Sequence, residues 1–525
     1  MRLPQLSRER LAPTLAAALV AALYLILDLR TGDLAAHLYR ADLFAREGFT
    51  IWNGNWYGGH HTPAYSVLFP PLAHFLTPQV AGALAAVAAA ALFEPLVRSQ
   101  FGDRARWGAL WFGFAVGVTL FTGRLPFLFG VAVGLGALLA LQRGRVAIAA
   151  VLAVACSLAS PVAGLFLALA ALAYEVVART RSGAVLAALA VAAPVLVSAA
   201  FPEGGFQPFT VRSYAAVPIF CALLFVILPR EQKTLRVGAL LYAVAATAAY
   251  LIDTPMGNNA VRLAELFGGA IVVCFLPWRR ELRMERRLVV TLLVALAAWP
   301  LYPTVRDVIR NLGDESTKAS YYEPLLDFLE REGREPGRIE IPFTRAHFEA
   351  YEVARAWPIA RGWQRQLDIE RNRLFYGGVL SDLTYATWLS ENGVRYVALP
   401  DAPLDTSARN EKELIERDPP YLRQRWASEH WEVYEVTLPH PLLIEDDGAD
   451  IRLTSLRSDE FTLDVREPGE ALVRAAWTRY WEPRSGCVER DGHWTRVTAV
   501  EPGPLRVTQR VTLGRMVDSG RHCHR

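Results

Sequence analysis

Eleven apolar runs crowd the first 303 residues: Leu11–Leu27, Val80–Val97, Trp107–Phe121, Pro126–Leu141, Val146–Leu158, Val162–Val177, Ala184–Ala200, Tyr214–Leu228, Val237–Ile252, Arg262–Leu276 and Leu288–Pro303. A helix crossing ~30 Å of hydrocarbon needs about 20 apolar residues, and fewer when flanking side chains snorkel. Runs recurring at this spacing predict a polytopic helical membrane domain over residues 1–303 with about 11 spans. Val146–Leu158 is the weakest, and Pro161 follows it. It and the next run either cross twice or dip as a tight pair, and the sidedness of later segments is the same in both cases. The chain is 53% hydrophobic and 20% charged, which excludes a disordered chain and argues against an ordinary soluble enzyme.

Charge divides the chain at the same place. Residues 1–303 carry 24 Lys/Arg against 14 Asp/Glu, and residues 304–525 carry 31 against 38, so a basic half joins an acidic one. With the N-terminus in the cytoplasm, the inner loops collect 18 basic residues and the outer loops 6. Arg2, Arg279, Arg280 and Arg283 are among the inner set. The first run has a basic start but is followed by Asp28-Leu29-Arg30 rather than a small-residue cleavage site, so it reads as a signal anchor. An odd number of spans then puts the C-terminal half outside the cytoplasm.

That half changes texture. Over 304–440, helical stretches at Tyr322–Glu332 and Ala386–Asn392 alternate with strand-like Arg338–Ile341, Val394–Leu399 and Trp431–Val436, predicting a small α/β domain. Over 441–525, alternation at Asp450–Leu456, Glu460–Val465, Glu470–Ala476, His493–Val500 and Leu505–Val511, broken by Pro-Gly and Asp-Gly turns, predicts a β-sandwich. Five cysteines are too few for a disulfide scaffold. Cys487 and Cys523 share the outer module and can pair, whereas Cys156, Cys221 and Cys274 sit in apolar spans as core thiols. His522-Cys523-His524 is either a metal site or an exposed tail.

Polar residues that apolar segments should not tolerate mark the candidate sites. The first outer loop, 28–62, is the richest. Asp33, His37 and Arg40 fall at i, i+4 and i+7, on one face of a helix. The pair Asp33 and His37 suits a general base with its orienting group, or two ligands of a divalent cation; the plainer reading makes Asp33 a helix cap. The segment Trp52–Tyr65 interleaves Trp56, Tyr57, His60 and Tyr65 with Gly and Asn, which suits either a sugar-stacking surface or an interfacial aromatic belt. His60 and His61 are adjacent, so they point apart and make a poor chelating pair. A second island, Asp253–Arg262, offers Asn258, Asn259 and Arg262. Arg262 and, in the brief Thr122-Gly123-Arg124 turn, Arg124 can reach an anion such as a diphosphate; the alternatives for Arg262 are snorkelling or pairing with Glu265. The Gly/Pro-rich loop Phe201–Arg212 is expected to be mobile. No Walker loop, Cys-x-x-Cys, His-Glu-x-x-His or Gly-x-Ser-x-Gly occurs, which disfavours an ATP-driven pump, a zincin protease and a serine hydrolase.

Taken together, Gly32-Asp33 with His37, then Gly48, Trp52, Trp56-Tyr57-Gly58 and Tyr65 before Pro70-Pro71-Leu72, resemble the first outer loop of bacterial GT-C-type membrane glycosyltransferases. Gly257-Asn258-Asn259 with Arg262-Leu263 resembles a second patch of polytopic proteins grouped as 6-pyruvoyl-tetrahydropterin-synthase-related. The C-terminal half, through Asn392–Val397, Trp481 and Asp491-Gly492, is similar to the outer part of YfhO-like proteins. The resemblance implies a GT-C-like fold and transfer of a sugar from a polyprenyl-phosphate-linked donor to a glycan, lipid or protein acceptor of the cell envelope. It implies a catalytic base or metal ligand at Asp33 and at no other residue with comparable force; the residues themselves offer His37 as its catalytic neighbour and Arg40, Trp56, Tyr57, His60, Tyr65, Arg124, Asn258, Asn259 and Arg262 as candidate substrate contacts. The loop lacks the Asp-x-Asp or Asp-Glu pair of the family, which leaves a divalent cation (magnesium or manganese) open as a cofactor. The expected location is a bacterial cell (inner) membrane, with no nucleic-acid partner. Two other classes stand beside this one: a transporter or flippase, which calls for ionisable residues at mid-span where few occur, and a non-catalytic assembly protein whose outer modules bind glycan.

Overall fold

A computed structural model of the chain describes residues 8–276, 285–333, 337–517 and Cys523. Arg2, Arg279, Arg280 and Arg283 of the inner-loop set, and His522 and His524 of the terminal tail, lie outside the described residues. The chain forms two compact units. The first comprises residues 1–37, 64–197 and 205–312; the second comprises 38–63, 198–204 and 313–525.

The first unit is helical, and all its helices but α2 and α3 fall on the apolar runs: α1 (Arg8–Leu27), α2 (Gly32–Glu47, which continues past the unit boundary), α3 (Phe69–Leu76), α4 (Pro78–Phe101), α5 (Ala105–Phe121), α6 (Leu125–Gln142), α7 (Val146–Ala159), α8 (Pro161–Ala178), α9 (Ser182–Ala200), α10 (Val211–Ile227), α11 (Lys233–Leu251), α12 (Gly269–Phe275) and α13 (Arg286–Asn311). Among the described residues, eight stretches are long and apolar enough to cross a membrane, one of them the continuous pair α4–α5; α7 and α10 are apolar but shorter. The chain is a membrane protein. At ~1.5 Å per residue α7 is about 21 Å long, short of the hydrocarbon thickness, as its brief run foretold. A single residue, Ser160, separates it from α8: its side chain accepts from the Ala163 N–H while Pro161 opens the new helix.

Where a bilayer supplies no hydrophobic drive, small residues let helices approach. A Cβ at Gly113 would meet the Pro13 carbonyl of α1, and one at Gly108 the Ala270 carbonyl of α12. The run starting at Arg262 departs from a plain helix. A 3-10 turn (Gly257–Val261) leads into a π-helical turn (Ala264–Gly268) before α12 begins. Such single-turn insertions redirect side chains and recur at functional sites.

Among the described residues the second unit contains a short ladder, a mixed sheet and a pair of facing sheets. A two-stranded ladder, β1 (Trp52–Asn53) with β2 (His60–His61), comes from the first outer loop. A mixed sheet follows from β3 (Arg338–Glu340), β4 (Val394–Pro400), β5 (Leu422–Ala427) and β6 (Trp431–Val436), in the order β3-β4-β6-β5, with β3 and β4 parallel and the rest antiparallel. Its helices are α14 (Ala319–Arg331), α15 (Glu349–Glu352), α16 (Arg365–Arg371), α17 (Asp382–Glu391) and α18 (Arg409–Ile415). Ser381 and Thr384 cap α17 reciprocally, and Gly393 at φ +61 ends the turn into β4.

The last strands are β7 (Leu443–Glu445), β8 (Asp450–Leu456), β9 (Glu460–Glu467), β10 (Gly469–Ala476), β11 (Trp481–Pro483), β12 (Cys487–Asp491), β13 (Trp494–Ala499) and β14 (Gly503–Gln509). They make two four-stranded sheets, β12-β13-β10-β7 and β11-β14-β9-β8, around one core. Alternation places Phe461, Leu463 and Val465 of β9 and Val497 and Ala499 of β13 in that core. The predicted β-sandwich is present. Cys487 and Cys523 form a disulfide, and Cys156, Cys221 and Cys274 are buried free thiols.

The division into 1–303, 304–440 and 441–525 is drawn differently by the contacts. The boundary falls after Leu312, because α13 runs on to Asn311, and residues 38–63 of the first outer loop belong to the second unit. The reason is burial: Trp52 packs among Phe461, Trp481 and Val507 in the sandwich core, so the loop supplies part of that core.

Candidate functional site

In the first unit, three interhelical connections converge. The α1–α2 corner brings Thr31, Asp33 and His37; the α5–α6 turn brings Gly123 and Arg124; the α11–α12 connection brings Asn258, Asn259, Arg262 and Glu265. The turn is held by His37, buried against Tyr65 and Phe69, whose Nε2–H donates to the Gly123 carbonyl at 2.9 Å. Gly123 sits at φ +74, and a Cβ there would overlap Thr31 Oγ1 and touch Asp33 Cβ. A turn of this hand, pressed this closely on α2, demands glycine.

Charge completes the site. Arg124 and Glu265 form an ion pair at 2.8 Å. The Arg262 guanidinium lies over the Phe127 ring at 5.5 Å, and Arg124, Asp33, Tyr65 and Glu265 all lie close enough to act on its charge. Asn259 is spent locally, its Nδ2 donating to Pro255 O at 3.0 Å. Asn258 Oδ1 is buried with no hydrogen-bond partner among the described residues, and so is Thr31 Oγ1. Both are free to pair with a ligand hydroxyl. Gly257, at φ +30, lets the backbone of Gln207 pass where a Cβ would collide, so the loop 205–210 is packed against this corner. The expected mobility of Phe201–Arg212 meets further anchors: the Gln207 N–H donates to Thr254 O, and Glu203 is paired within the second unit.

Candidates that the sequence offered as separate islands, Asp33, His37, Tyr65, Arg124, Asn258 and Arg262, thus fall on these three connections and the segment beside them. The spacing argument assigned no role to Thr31, Phe127 or Glu265 as ligand-facing groups. The available signal was weak: a hydroxyl two positions before Asp33, a ring three positions after Arg124, and a carboxylate three residues after Arg262.

The remaining candidates lie in the second unit, and their environment corrects their expected role. Trp56 is fully buried, its Nε1–H donating to Ala350 O at 3.1 Å, with Tyr39 stacked on it at 4.5 Å and His60 at 5.5 Å. The Tyr57 hydroxyl donates to Gly362 O. The Arg40 guanidinium lies over the Trp56 ring and reaches Gln364 Oε1 at 3.1 Å. Burial lowers the His60 pKa to about 3, so its imidazole is neutral. These rings present no free face, either to a sugar or to a membrane interface. They are the internal packing of the unit, made from loop residues that alternate aromatic and glycine because rings must stack where the backbone turns tightly.

His60 and His61 do point apart. His61 faces Trp52 and Tyr480, its Nε2 pairs with Thr478 Oγ1 at 3.0 Å, and its backbone N–H donates to Glu203. Glu203 also receives Arg371 at 2.7 Å, and Arg371 donates to Gly59 O at 2.6 Å. Burial would raise the Glu203 carboxyl, but Arg371 and the His61 hydrogen bond overcome it and hold the pKa down to about 2.

Among the described residues no group of three or more His, Cys, Asp or Glu could hold an ion. Beside Asp33, His37 is spent on Gly123 O and Glu265 on Arg124. Among the described residues, the donors beside Asp33 do not assemble a resident divalent-cation site.

No protein-family model matches the chain, and no curated protein does. Among solved structures, the chain is similar to the Archaeoglobus fulgidus oligosaccharyltransferase in its apo form, with a TM-score of 0.44 at 11% identity over 76% of this chain and 70% of that one. It is also similar to the archaeal oligosaccharyltransferase AglB from Archaeoglobus fulgidus in complex with an inhibitory peptide and a dolichol-phosphate, with a TM-score of 0.31 at 14% identity over 74% of this chain and 69% of that one.

Proposed function

We propose that the chain is an integral membrane glycosyltransferase of GT-C type, using a polyprenyl-phosphate-linked sugar on the extracytoplasmic side of a bacterial cell membrane. The observation that carries this reading is the convergence of the Asp33 carboxylate and the Arg124–Glu265 ion pair on Arg262, at one end of the membrane helices. Such a site receives an anionic leaving group beside a base. Asp33 takes the proton of the acceptor hydroxyl as its oxygen attacks the anomeric carbon. The bond from that carbon to the phosphate oxygen breaks, and the electron pair leaves on the polyprenyl phosphate. Arg262 and Arg124 stabilise that charge in a poorly hydrated setting. Attack opposite the leaving group inverts the anomeric centre. Asn258 Oδ1 and Thr31 Oγ1 are placed to orient sugar or acceptor hydroxyls. His37 acts through position, holding the Gly123 turn against α2.

The transporter reading finds little support in the buried acids. Glu94 pairs with Arg98 one turn away, and Glu175 accepts from the backbone N–H groups of Arg181, Gly183 and Ala184, so both serve helix ends and turns.

The test is transfer in nanodiscs from a panel of radiolabelled polyprenyl-phosphate sugars, comparing the parent with Asp33→Asn, each with and without EDTA. Sugar released by the parent alone, unaffected by EDTA, is expected. Retained transfer by a folded Asp33→Asn protein removes Asp33 from the mechanism, and lipid binding without turnover in both favours a flippase or scaffold.

A further inference from the structure

Two guanidiniums, Arg124 and Arg262, and two carboxylates, Asp33 and Glu265, share the site in the first unit. Of the charges acting on Arg262, that of Arg124 is the strongest, so the two cations oppose each other and need counter-charge. The carboxylates supply it, and the formal charges of the four groups cancel. An arriving anion therefore meets a neutral site rather than a cationic one. It brings a surplus of negative charge unless one carboxylate gives way, and in a poorly hydrated setting such a surplus is costly.

Glu265 is the carboxylate placed to give way, because the proposed base, Asp33, is needed where it stands. The Glu265 carboxylate accepts from Arg124 Nη1 at 2.8 Å, and the two side chains are 15% and 24% exposed. Ion pairs with access to solvent are weak and open readily. The π turn Ala264–Gly268 carries Glu265 away from its neighbour Arg262 and onto the α5–α6 turn. The backbone behind it is held, since a Cβ at Gly268 would collide with Phe220 and one at Gly269 with Trp111. The side chain, rather than the helix, is the part that moves.

Resting on the glycosyltransferase reading, we propose that Glu265 is an internal stand-in for the donor phosphate. Its carboxylate holds Arg124 until a phosphate bridges Arg124 and Arg262, and it returns to Arg124 as the polyprenyl phosphate leaves. Glu265 is then a specificity-determining residue. An anion that reaches Arg124 alone gains one contact and breaks another, so it does not displace the carboxylate. One that also engages Arg262 gains a second contact and does. The same exchange limits how tightly the spent lipid phosphate is held, which favours its release.

The experiment uses the full chain in nanodiscs and two probes, a short-chain isoprenyl phosphate and the matching uncharged isoprenol. Binding is measured for the parent, Glu265→Gln, Glu265→Asp, Arg124→Gln and the double variant Arg124→Gln/Glu265→Gln. Glu265→Gln is expected to bind the phosphate about tenfold tighter than the parent, with the alcohol unchanged. Glu265→Asp keeps the charge but shortens the reach to Arg124. It is expected to bind the phosphate about threefold tighter, and it carries the test where the Gln variant does not fold. In the Arg124→Gln background the gain from Glu265→Gln should vanish. Unchanged or weaker binding in the Glu265 variants makes this carboxylate a mere support for Arg124 and overturns the proposal. A gain that persists in full without Arg124 is repulsion through space and overturns it too, as does a parent that binds no isoprenyl phosphate. Transfer is run in parallel, and inhibition by added isoprenyl phosphate should strengthen in Glu265→Gln. Absence of transfer from any donor by the parent defeats the glycosyltransferase reading instead, and the anion exchange then stands or falls on the binding data.

Discussion

Glu203→Gln removes a buried carboxylate that is 3% exposed, accepts from Arg371 at 2.7 Å and from the His61 N–H, and ties residues 198–204 to the β1–β2 ladder. Folding takes its pKa from an ordinary 4.5 to about 2, and at about 1.4 kcal/mol per decade this corresponds to about 3 kcal/mol of stability at neutral pH. Because the folded value is the lower one, the stabilisation is complete above the unfolded value and is lost as pH falls through 4.5 towards 2. By pH 3 about 2 kcal/mol of it is gone. The assay is urea unfolding of the second unit within the full chain in detergent, followed by tryptophan fluorescence at pH 7, 5, 4 and 3, since Trp52 lies beside His61. The parent should lose about 2 kcal/mol between pH 7 and pH 3 beyond any loss in Glu203→Gln, and the variant should be weaker at pH 7 because Arg371 is left without its carboxylate. Equal pH dependence in the two proteins would refute the assignment of this pair as a main fastening of the unit.

Four further outcomes follow from the same reasoning. Gly123→Ala places a Cβ on Thr31 and forces a left-handed alanine, so transfer should fall at least tenfold while thermal stability drops by only about 1–2 kcal/mol. Cys487→Ser opens a link closing 36 residues, and the sandwich should lose about 2–4 kcal/mol by denaturant titration under oxidising conditions only. Phe461→Ala, wholly buried in the sandwich core, should cost about 3–5 kcal/mol in the same titration. Burial pushes the Glu411 carboxyl up, where it sits with Glu340 and Asp368 around Arg361; its contribution is present below the unfolded pKa and is lost as pH rises above the carboxylate range. Glu411→Gln should therefore flatten the fall in stability between about pH 4.5 and about pH 7, read from unfolding midpoints.

How much of the site was legible depended on how local its signal is. Asp33 and His37 share a helix face by spacing alone, and Arg262 follows a polar island in an apolar context; both facts are read within a few residues. Trp56, Tyr57 and His60 carried the same kind of local signal and misled. A string of aromatics and glycines looks alike whether the rings stack on a ligand or on each other, and only Ala350, Gly362 and Gln364, about 300 positions away, make the difference. Glu265 was visible as a partner of an arginine, but the sequence neighbour Arg262 was the expected one. The fold gives it Arg124 instead, across a π turn that no periodicity announces.

The sequence by itself determined where the membrane helices lie along the chain and the strand alternation of the last module, because hydrophobicity and helix or strand period act over short stretches of chain. The edge strands β7 and β11, of three residues each, were too short for that period to register. Tertiary structure alone decided that residues 38–63 of the first outer loop belong to the second unit, that His37 donates to the Gly123 turn, and that Glu265 pairs with Arg124 rather than with its neighbour Arg262. Each depends on which distant surfaces meet, and packing of distant surfaces leaves no periodic trace in the chain that makes them.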